Sequence, residues 1–162
     1  MDFCMEYLYL NDENHVYKAI DLDELLELFD SSFTGLIFIG GHWCKNCQAI
    51  INHLNNIVKM CNINNVYYFD VRVETELGII EDLRNPTSLD FRLKFTKIID
   101  KIGVNLDELR VPFFIAVKDG SVEAYFSDEL LYDGSILHYP DSDIDQTEVF
   151  TQKIIRLIEI IS

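Results

Sequence analysis

The segment "GLIFIGGHWCKNCQAII", residues 35–51, constrains the fold of this chain most strongly because it joins two hydrophobic patterns of different period. Gly35 to Gly41 is an unbroken apolar run between glycines, which predicts a strand buried on both faces. From Cys47 onward, apolar residues recur at the helical interval and predict an amphipathic helix. They are Ile50, Ile51, Leu54, Ile57, Val58 and Cys61. A buried strand that leads directly into a helix is typical of an α/β protein.

The segments on either side extend this α/β pattern. "AIDLDELLELFDSS" predicts a helix with an apolar face and with Asp21 as its N-cap. "VYYFDVRVE", residues 66–74, predicts a second strand after the helix that follows Cys47. Strand, helix and strand in this order predict a βαβ unit with parallel strands.

The second half of the chain continues with helices and a hairpin. "LGIIEDLRNP" predicts a short helix that ends at Pro86, and "SLDFRLKFTKIIDKIG" predicts a longer helix between Ser88 and Gly103. "PFFIAV" and "SVEAYF" flank a Lys-Asp-Gly turn and predict a hairpin. After an acidic loop, "TEVFTQKIIRLIEII" predicts a last helix, with Asp145 and Glu148 forming its capping box. No linker or repeat interrupts the pattern, so residues 1–162 are predicted to form a single domain.

The charge of the chain argues against several classes of partner. Twenty-eight acidic and thirteen basic side chains give a formal net charge of −15. Phosphate backbones and anionic membrane surfaces should repel such a chain, so we expect no nucleic-acid partner and no membrane insertion. Asp2 and Glu6 stand where a signal peptide needs basic residues, and the four cysteines form no disulfide framework. These features predict a cytoplasmic location.

The two cysteines of Cys44-Lys45-Asn46-Cys47 lie at the predicted start of a helix, and this position affects the acidity of their thiols. Unpaired backbone N–H groups and the helix dipole stabilise negative charge there, so they favour a thiolate at Cys44. Cys47 lies on the apolar stripe and should be shielded. Cys44 would therefore attack a substrate disulfide, and Cys47 would resolve the mixed disulfide. His42 and Lys45 could tune the pair.

Two other chemistries remain open at this motif. His42, Cys44 and Cys47 could supply three ligands of a zinc site, with a fourth from His15, His53 or His138. A cysteine hydrolase would need a histidine brought near Cys44 by the fold. The sequence favours a redox dithiol over both, because no second ligand pair follows and a resolving cysteine is out of place in a hydrolase.

The residues "HWCKNC" resemble the WCxxC motif of the thioredoxin superfamily, at the strand-to-helix joint where that family has it. "RVPFFIAVKDGSVEAYF" is similar to the family's segment in which a cis-proline precedes a strand, a turn and another strand. The resemblance spans about Asp21 to Phe126. It implies an α/β thioredoxin fold, with a central mixed sheet flanked by helices on both faces and an enlarged helical segment before the cis-proline strand.

The resemblance also implies roles for several residues. Pro112 would be the cis-proline that faces Cys44, and the backbone of Val111 would bind an incoming peptide. Trp43 is expected to be exposed and to face the substrate. Lys45 and Asn46 occupy the two positions that control redox potential in the family.

One departure from the family bears on mechanism. Phe38 stands where thioredoxin has a buried aspartate that assists proton transfer to the resolving cysteine. Water, His42 or Glu74 are candidate substitutes.

Together these observations predict a thiol–disulfide oxidoreductase that uses no cofactor. Its partners would be protein or peptide disulfides and an electron donor such as a reductase. The alternative is a binding or accessory module that keeps the fold with little redox turnover, which the absence of the buried acid at position 38 favours.

Overall fold

The apolar run that begins at Gly35 forms the central strand of the molecule. The structure is a computed structural model and describes residues 2–162. Its main sheet contains β1 (Tyr17–Ala19), β2 (Gly35–Gly40), β3 (Val66–Asp70), β6 (Phe113–Lys118) and β7 (Ser121–Ser127). The spatial order is β1-β3-β2-β6-β7. β1, β3 and β2 run parallel, whereas β6 and β7 are antiparallel to their neighbours.

Helices cover both faces of this sheet. They are α1 (Phe3–Glu6), α2 (Leu22–Phe29), α3 (Lys45–Met60), α4 (Leu89–Ile102) and α5 (Thr147–Ile161), with a 3₁₀ turn at Leu106–Glu108. α3 packs against α5, and α2 packs against α4. Successive side chains of a strand point to opposite faces, and both Ile37 and Phe38 in β2 are almost completely buried. β2 is therefore buried on both faces, as its sequence predicts.

This architecture is the thioredoxin fold, so the predicted fold class is confirmed. The mixed sheet, the antiparallel β6–β7 hairpin and the helices on both faces are those that the sequence led us to expect. Asp21 caps α2 in a complete capping box, and Ser88 and Gly103 bound α4. Among residues 2–162 no helix is long and apolar enough to cross a membrane.

The segment after β3 differs from its prediction. The single strand predicted over residues 66–74 divides into β3 and a separate strand β4 (Arg72–Glu74). The helix predicted for "LGIIEDLRNP" is wrong: Ile80–Asp82 forms β5, which pairs antiparallel with β4. Gly78 adopts a positive φ of 78° in the turn between them, and the Thr75 N–H donates to the Ile79 carbonyl at 2.7 Å. The enlargement before β6 is thus a hairpin followed by one helix.

The last helix spans its predicted residues, Thr147–Ile161, but its cap differs from the prediction. Gln146, rather than Asp145, is the N-cap of α5. The Asp145 carboxylate accepts a hydrogen bond from the Thr147 N–H at 2.8 Å, and Glu148 accepts one from the side chain of Gln152. No capping box with Glu148 forms here. The preceding acidic loop contains a small hairpin of β8 (Leu131–Tyr132) and β9 (Leu137–His138).

Candidate redox site

The two cysteines of the motif occupy different environments at the start of α3. Cys44 is the N-cap residue of the helix and is half-buried, whereas Cys47 lies in the first turn and is completely buried. All four cysteines of the chain are free thiols. The shielding of Cys47 that its place on the apolar stripe predicts is therefore present, and of the two motif cysteines only Cys44 has an exposed surface.

This asymmetry separates the acidities of the two thiols. A hydrogen bond from the Cys47 thiol lowers the pKa of Cys44 to about 6, and the backbone N–H groups of Cys47 and Asn46 contribute further. The charge of Arg84 acts in the same direction, while partial burial opposes it. Burial raises the pKa of Cys47 well above its ordinary value, and the interaction with Cys44 raises it further. These opposite shifts in pKa favour a thiolate at Cys44 and a protonated thiol at Cys47.

Two consecutive glycines allow the close packing of this site. A Cβ atom on Gly40 would lie 2.9 Å from the Cys47 Sγ and 2.3 Å from the ring of Phe38. A Cβ atom on Gly41 would lie 2.1 Å from the indole nitrogen of Trp43. All three distances are shorter than a van der Waals contact, so the close packing of Phe38, Trp43 and Cys47 requires glycine at both positions.

The segment before β6 lies directly across from Cys44. The Val111–Pro112 peptide bond is cis, and the Cys44 Sγ lies 3.8 Å from the Val111 carbonyl oxygen. The structure therefore brings Cys44, Val111 and Pro112 together from positions far apart in the sequence. The Arg110 carbonyl, one residue earlier, accepts a hydrogen bond from the Ser127 hydroxyl at 3.0 Å, which ties the segment to β7.

Trp43 is less exposed than its place on the turn predicts. Its side chain is partly buried, and its indole Nε1 donates to Asp70 Oδ1 at 3.0 Å. The guanidinium of Arg72 lies 3.6 Å from the centre of its ring, at a distance typical of a cation–π interaction. Arg72 belongs to the β4–β5 hairpin, which the sequence did not predict, so the cover over Trp43 could not be foreseen.

The three residues predicted to tune the site have different surroundings. His42 is exposed, and its Nε2 lies 3.3 Å from Glu6 while its Nδ1 lies 3.8 Å from Asp70. Lys45 is exposed at the first position of α3 and lines a shallow apolar groove with Leu8 and Tyr132. Asn46 contributes to the site through its backbone N–H.

Two charged residues at the site were missed by the sequence analysis. Asp70 ends β3 beside the motif, and Arg84 follows β5. Arg84 is held by two hydrogen bonds to the Asp82 carboxylate, at 2.7 and 3.0 Å, and its charge acts on both thiols. Asp70 could have been found as a polar residue at the carboxyl end of a buried parallel strand. No pattern pointed to Arg84, because the hairpin that positions it was predicted to be a helix.

Glu74, the carboxylate that the sequence analysis considered for proton transfer, is not directed at the thiols. It is exposed on β4, opposite Ile80, with its Oε1 near Gly78. Over residues 2–162, no three side chains of His, Cys, Asp or Glu lie in positions that could hold a metal ion, so His42, Cys44 and Cys47 do not form such a group. His15 and His53 instead pack against the aromatic rings of Phe3 and Tyr132.

The strand order and the position of the dithiol together define a thioredoxin-fold chain with a Cys-Lys-Asn-Cys sequence at the start of α3. Among solved structures, the chain is similar to a thioredoxin from Trypanosoma brucei brucei, with 12% sequence identity and a TM-score of 0.46. The match covers 93% of this chain and 99% of that one. No protein-family model matches the sequence, and a search of curated proteins finds no match either.

Proposed function

We propose that this chain is a thiol–disulfide oxidoreductase that acts on protein or peptide disulfides through Cys44 and Cys47. The observation that carries the proposal is the asymmetry of the pair. Cys44 is half-exposed with a pKa lowered to about 6, and Cys47 is buried behind it with a raised pKa. The exposed surface and lowered pKa of Cys44 suit a thiolate that attacks the substrate. The burial and raised pKa of Cys47 suit a thiol that reacts only after a mixed disulfide has formed.

The reaction proceeds in two exchanges. The Cys44 thiolate attacks one sulfur of the substrate disulfide, and the other substrate sulfur leaves as a thiolate that takes a proton from solvent. Cys47 then loses its proton and attacks Cys44, which releases the second substrate sulfur and leaves a Cys44–Cys47 disulfide. The substrate gains two electrons and the dithiol loses them. A separate dithiol donor, such as a reductase, must return these electrons.

The segment across from Cys44 offers the docking edge for the substrate. The Val111 carbonyl lies beside the attacking sulfur, so an extended peptide paired with the backbone of Val111 would bring its own cysteine to Cys44. Pro112 has no N–H and limits the pairing to the residue before it. Trp43 would contribute the part of its ring that Arg72 leaves uncovered.

A protein-disulfide reduction assay tests the proposal. With insulin as substrate and dithiothreitol as donor, the wild-type protein should accelerate reduction above the rate with dithiothreitol alone. Cys44→Ser should abolish the acceleration, whereas Cys61→Ser, which changes a thiol at the far end of α3, should retain it. Equal rates for the wild type and Cys44→Ser would show that the proposal is wrong.

A binding module with little turnover is the second candidate, and the buried Phe38 favours it. Phe38 is fully buried and packs against Phe114, so no carboxylate lies at that position to accept the Cys47 proton. Trapping separates the two functions. Cys47→Ser should retain substrates as mixed disulfides on Cys44 if the chain is an oxidoreductase, and a passive binder should retain none.

A further inference from the structure

The resolving step requires a base that accepts the proton of the Cys47 thiol. Its thiol is completely buried and its pKa is raised, so it must transfer a proton to a nearby base before it can attack Cys44. Phe38 and the other side chains of β2 that line the core are apolar. A base for this step must therefore come from another element.

The register of the sheet places a carboxylate one strand away from the residue that packs against Cys47. Gly40 at the end of β2 is the partner of Asp70 at the end of β3, and partners in a parallel sheet direct their Cβ atoms to the same face. A Cβ on Gly40 would nearly touch the Cys47 sulfur, at 2.9 Å. Asp70 lies one strand over, about 4.8 Å away along the sheet, and points to that same face. Its charge contributes to the raised pKa of Cys47.

The environment of Asp70 suits a base. Its side chain is 23% exposed, and burial raises its pKa above the ordinary value for aspartate. Oδ1 accepts hydrogen bonds from the indole of Trp43 at 3.0 Å and from the backbone N–H of Arg72 at 2.9 Å. These bonds fix the carboxylate through one oxygen and leave Oδ2 available to accept a proton.

A route to solvent begins at that second oxygen. His42 Nδ1 lies 3.8 Å from Asp70 Oδ2, and His42 Nε2 lies 3.3 Å from Glu6 Oε2. His42 is exposed, so a proton that reaches its ring can leave to water. An imidazole ring can bind a proton at one nitrogen and release a proton from the other.

We propose that Asp70 accepts the proton of the Cys47 thiol in the resolving step and that His42 passes it to solvent. This inference rests on the proposed oxidoreductase function. In the step, the Cys47 S–H bond breaks, the proton moves to Asp70 Oδ2, and the Cys47 sulfur forms a bond with Cys44. The bond from Cys44 to the substrate sulfur breaks, and that sulfur leaves with the electron pair. Asp70 then returns to its ionised form by losing the proton through His42.

Other groups around Asp70 also carry charge or titrate, and the pH dependence reflects all of them. The turn before α3 supplies His42, the hairpin supplies Arg72 and Arg84, and α1 supplies Glu6 through His42. Tyr68 on β3 and Tyr7 after α1 share a buried hydrogen bond of 2.8 Å, and burial raises the pKa of both far above neutrality. Cys44 and Cys47 are the remaining titratable groups. Of the two carboxylates in this set, Glu6 and Asp70, Asp70 is the one on the strand paired with β2.

A two-phase thiol titration isolates the resolving step. The Cys4→Ser, Cys61→Ser background leaves Cys44 and Cys47 as the two thiols. One equivalent of dithiobis(nitrobenzoate) then releases one coloured thiolate as Cys44 attacks and a second as Cys47 resolves the mixed disulfide. Stopped-flow absorbance follows both phases over a range of pH.

Asp70→Asn keeps the shape of the side chain and an oxygen for the Trp43 and Arg72 bonds, but it removes the base. We expect it to slow the second phase about 100-fold near neutral pH and to leave the first phase almost unchanged. The defect should shrink as pH rises, because hydroxide replaces the missing carboxylate. Asp70→Glu should recover part of the rate, and His42→Gln should slow the second phase less than Asp70→Asn does.

Glu74→Gln is the matched control, because it removes one carboxylate from the adjacent β4 strand at an exposed position, and it should change neither phase. A second phase that Asp70→Asn leaves unchanged, or slows by the same factor at every pH, would overturn the proposal while the oxidoreductase function stands. If the wild-type background releases no second thiolate, the oxidoreductase function fails and this inference fails with it.

Discussion

Several groups lower the pKa of Cys44, and the hydrogen bond from Cys47 contributes most. The thiol of Cys47 and two backbone N–H groups act at short range, and Arg84 acts as a charge that is held beside the site by Asp82. Arg84 is the contributor that a substitution can remove without altering the backbone or the dithiol. Arg84 follows β5 of the β4–β5 hairpin. The acidity of Cys44 therefore depends partly on a segment whose structure differs from its sequence prediction.

Arg84→Gln should raise the pKa of Cys44 by a fraction of a unit, since the loss of a nearby positive charge disfavours the thiolate. The measurement is the pH dependence of iodoacetamide alkylation in the Cys4→Ser, Cys61→Ser background, whose midpoint should lie near 6 with Arg84 present.

Arg110→Gln is the control for this prediction. Arg110 is exposed and pairs with Glu129 at 3.3 Å, and its charge is not among the causes of the Cys44 shift. The alkylation midpoint should stay in place. A midpoint that moves equally in the two variants would mean that overall charge, and not the position of Arg84, sets the acidity.

The sequence could identify the thiols but not the charged groups around them. Cys44 and Cys47 are found from their spacing and from the helix pattern that follows, because helix geometry alone puts one at the N-terminus and the other on the apolar stripe. Asp70 acts on Cys47 only because its strand pairs with β2 in one register, and a shift of one residue would turn its side chain to the opposite face. Register depends on tertiary packing, which the sequence pattern does not specify.

At the scale of elements, a buried amide on α3 is one of the groups that hold the N-terminal segment to this helix. Asn55 is completely buried on α3, where its Oδ1 accepts from the Val16 N–H at 2.9 Å and its Nδ2 donates to Asp12 at 2.9 Å. Val16 leads into the edge strand β1. The same segment carries Phe3 and Tyr7 into an aromatic cluster with Tyr68, so its attachment also supports the groups near Asp70.

Asn55→Ala should lower the free energy of unfolding by about 1–3 kcal/mol, because it leaves the buried Val16 N–H without an acceptor. Urea unfolding followed by circular dichroism measures the change. Asn56→Ala is matched in residue type and helix but lies at the next, exposed position, so it should be neutral or slightly stabilising. Equal losses in the two variants would show that helix propensity, rather than the buried hydrogen bond, is responsible.

The elements that the sequence predicted correctly are those with long, regular patterns. α2, α3, α4 and the β6–β7 hairpin each have clear periodicity and identifiable boundaries. The hairpin at residues 72–82 was missed because its second strand, β5, was mistaken for part of a helix. The segment "LGIIEDL" is too short for its period to be distinguished. Its strands form through cross-strand partners such as Arg72 and Asp82, which are ten positions apart and leave no local signal. The predicted cap of α5 was also wrong. Asp145 accepts a hydrogen bond from the Thr147 N–H, but it lies one residue before the N-cap, Gln146.

At the scale of the whole molecule, the ionisation of Cys44 makes the free energy of unfolding depend on pH. The pKa of Cys44 is about 6 in the folded chain and its ordinary value is 9.0. A depressed pKa contributes stability that is fully present above the unfolded value and is lost as pH falls through the folded value. The raised pKa of Cys47 has the opposite sign, and its contribution is lost only at pH values above the ordinary one.

The free energy of unfolding of the reduced protein, measured relative to Cys44→Ser, should therefore rise between pH 6 and 9. Urea titrations of both proteins at several pH values in this window, with a non-thiol reductant, provide the test. The difference between them removes the contribution of other titrating groups. A difference that is flat over the window would mean that Cys44 has its ordinary acidity, and the proposed reactivity at neutral pH would lose its support.

The net charge of −15 should make the stability of this chain depend on salt. Folding brings the excess carboxylates closer together, and their repulsion acts against the compact state. Most ion pairs, such as Arg110–Glu129 and Lys94–Asp90, involve exposed side chains that contribute little, so salt has few attractive interactions to weaken. The screening length falls from about 30 Å to about 8 Å between about 0.01 M and about 0.15 M salt.

The midpoint of thermal unfolding should consequently rise over this range of sodium chloride and then level off once the screening length is shorter than the spacing of surface charges. Differential scanning fluorimetry measures it, and potassium chloride should give the same rise because screening depends on ionic strength and not on the cation. A midpoint that falls with salt would show that the exposed ion pairs outweigh the repulsion. The hairpin, where Arg72 and Arg84 both face Asp82, would then be the first place to look for attractive pairs that screening weakens.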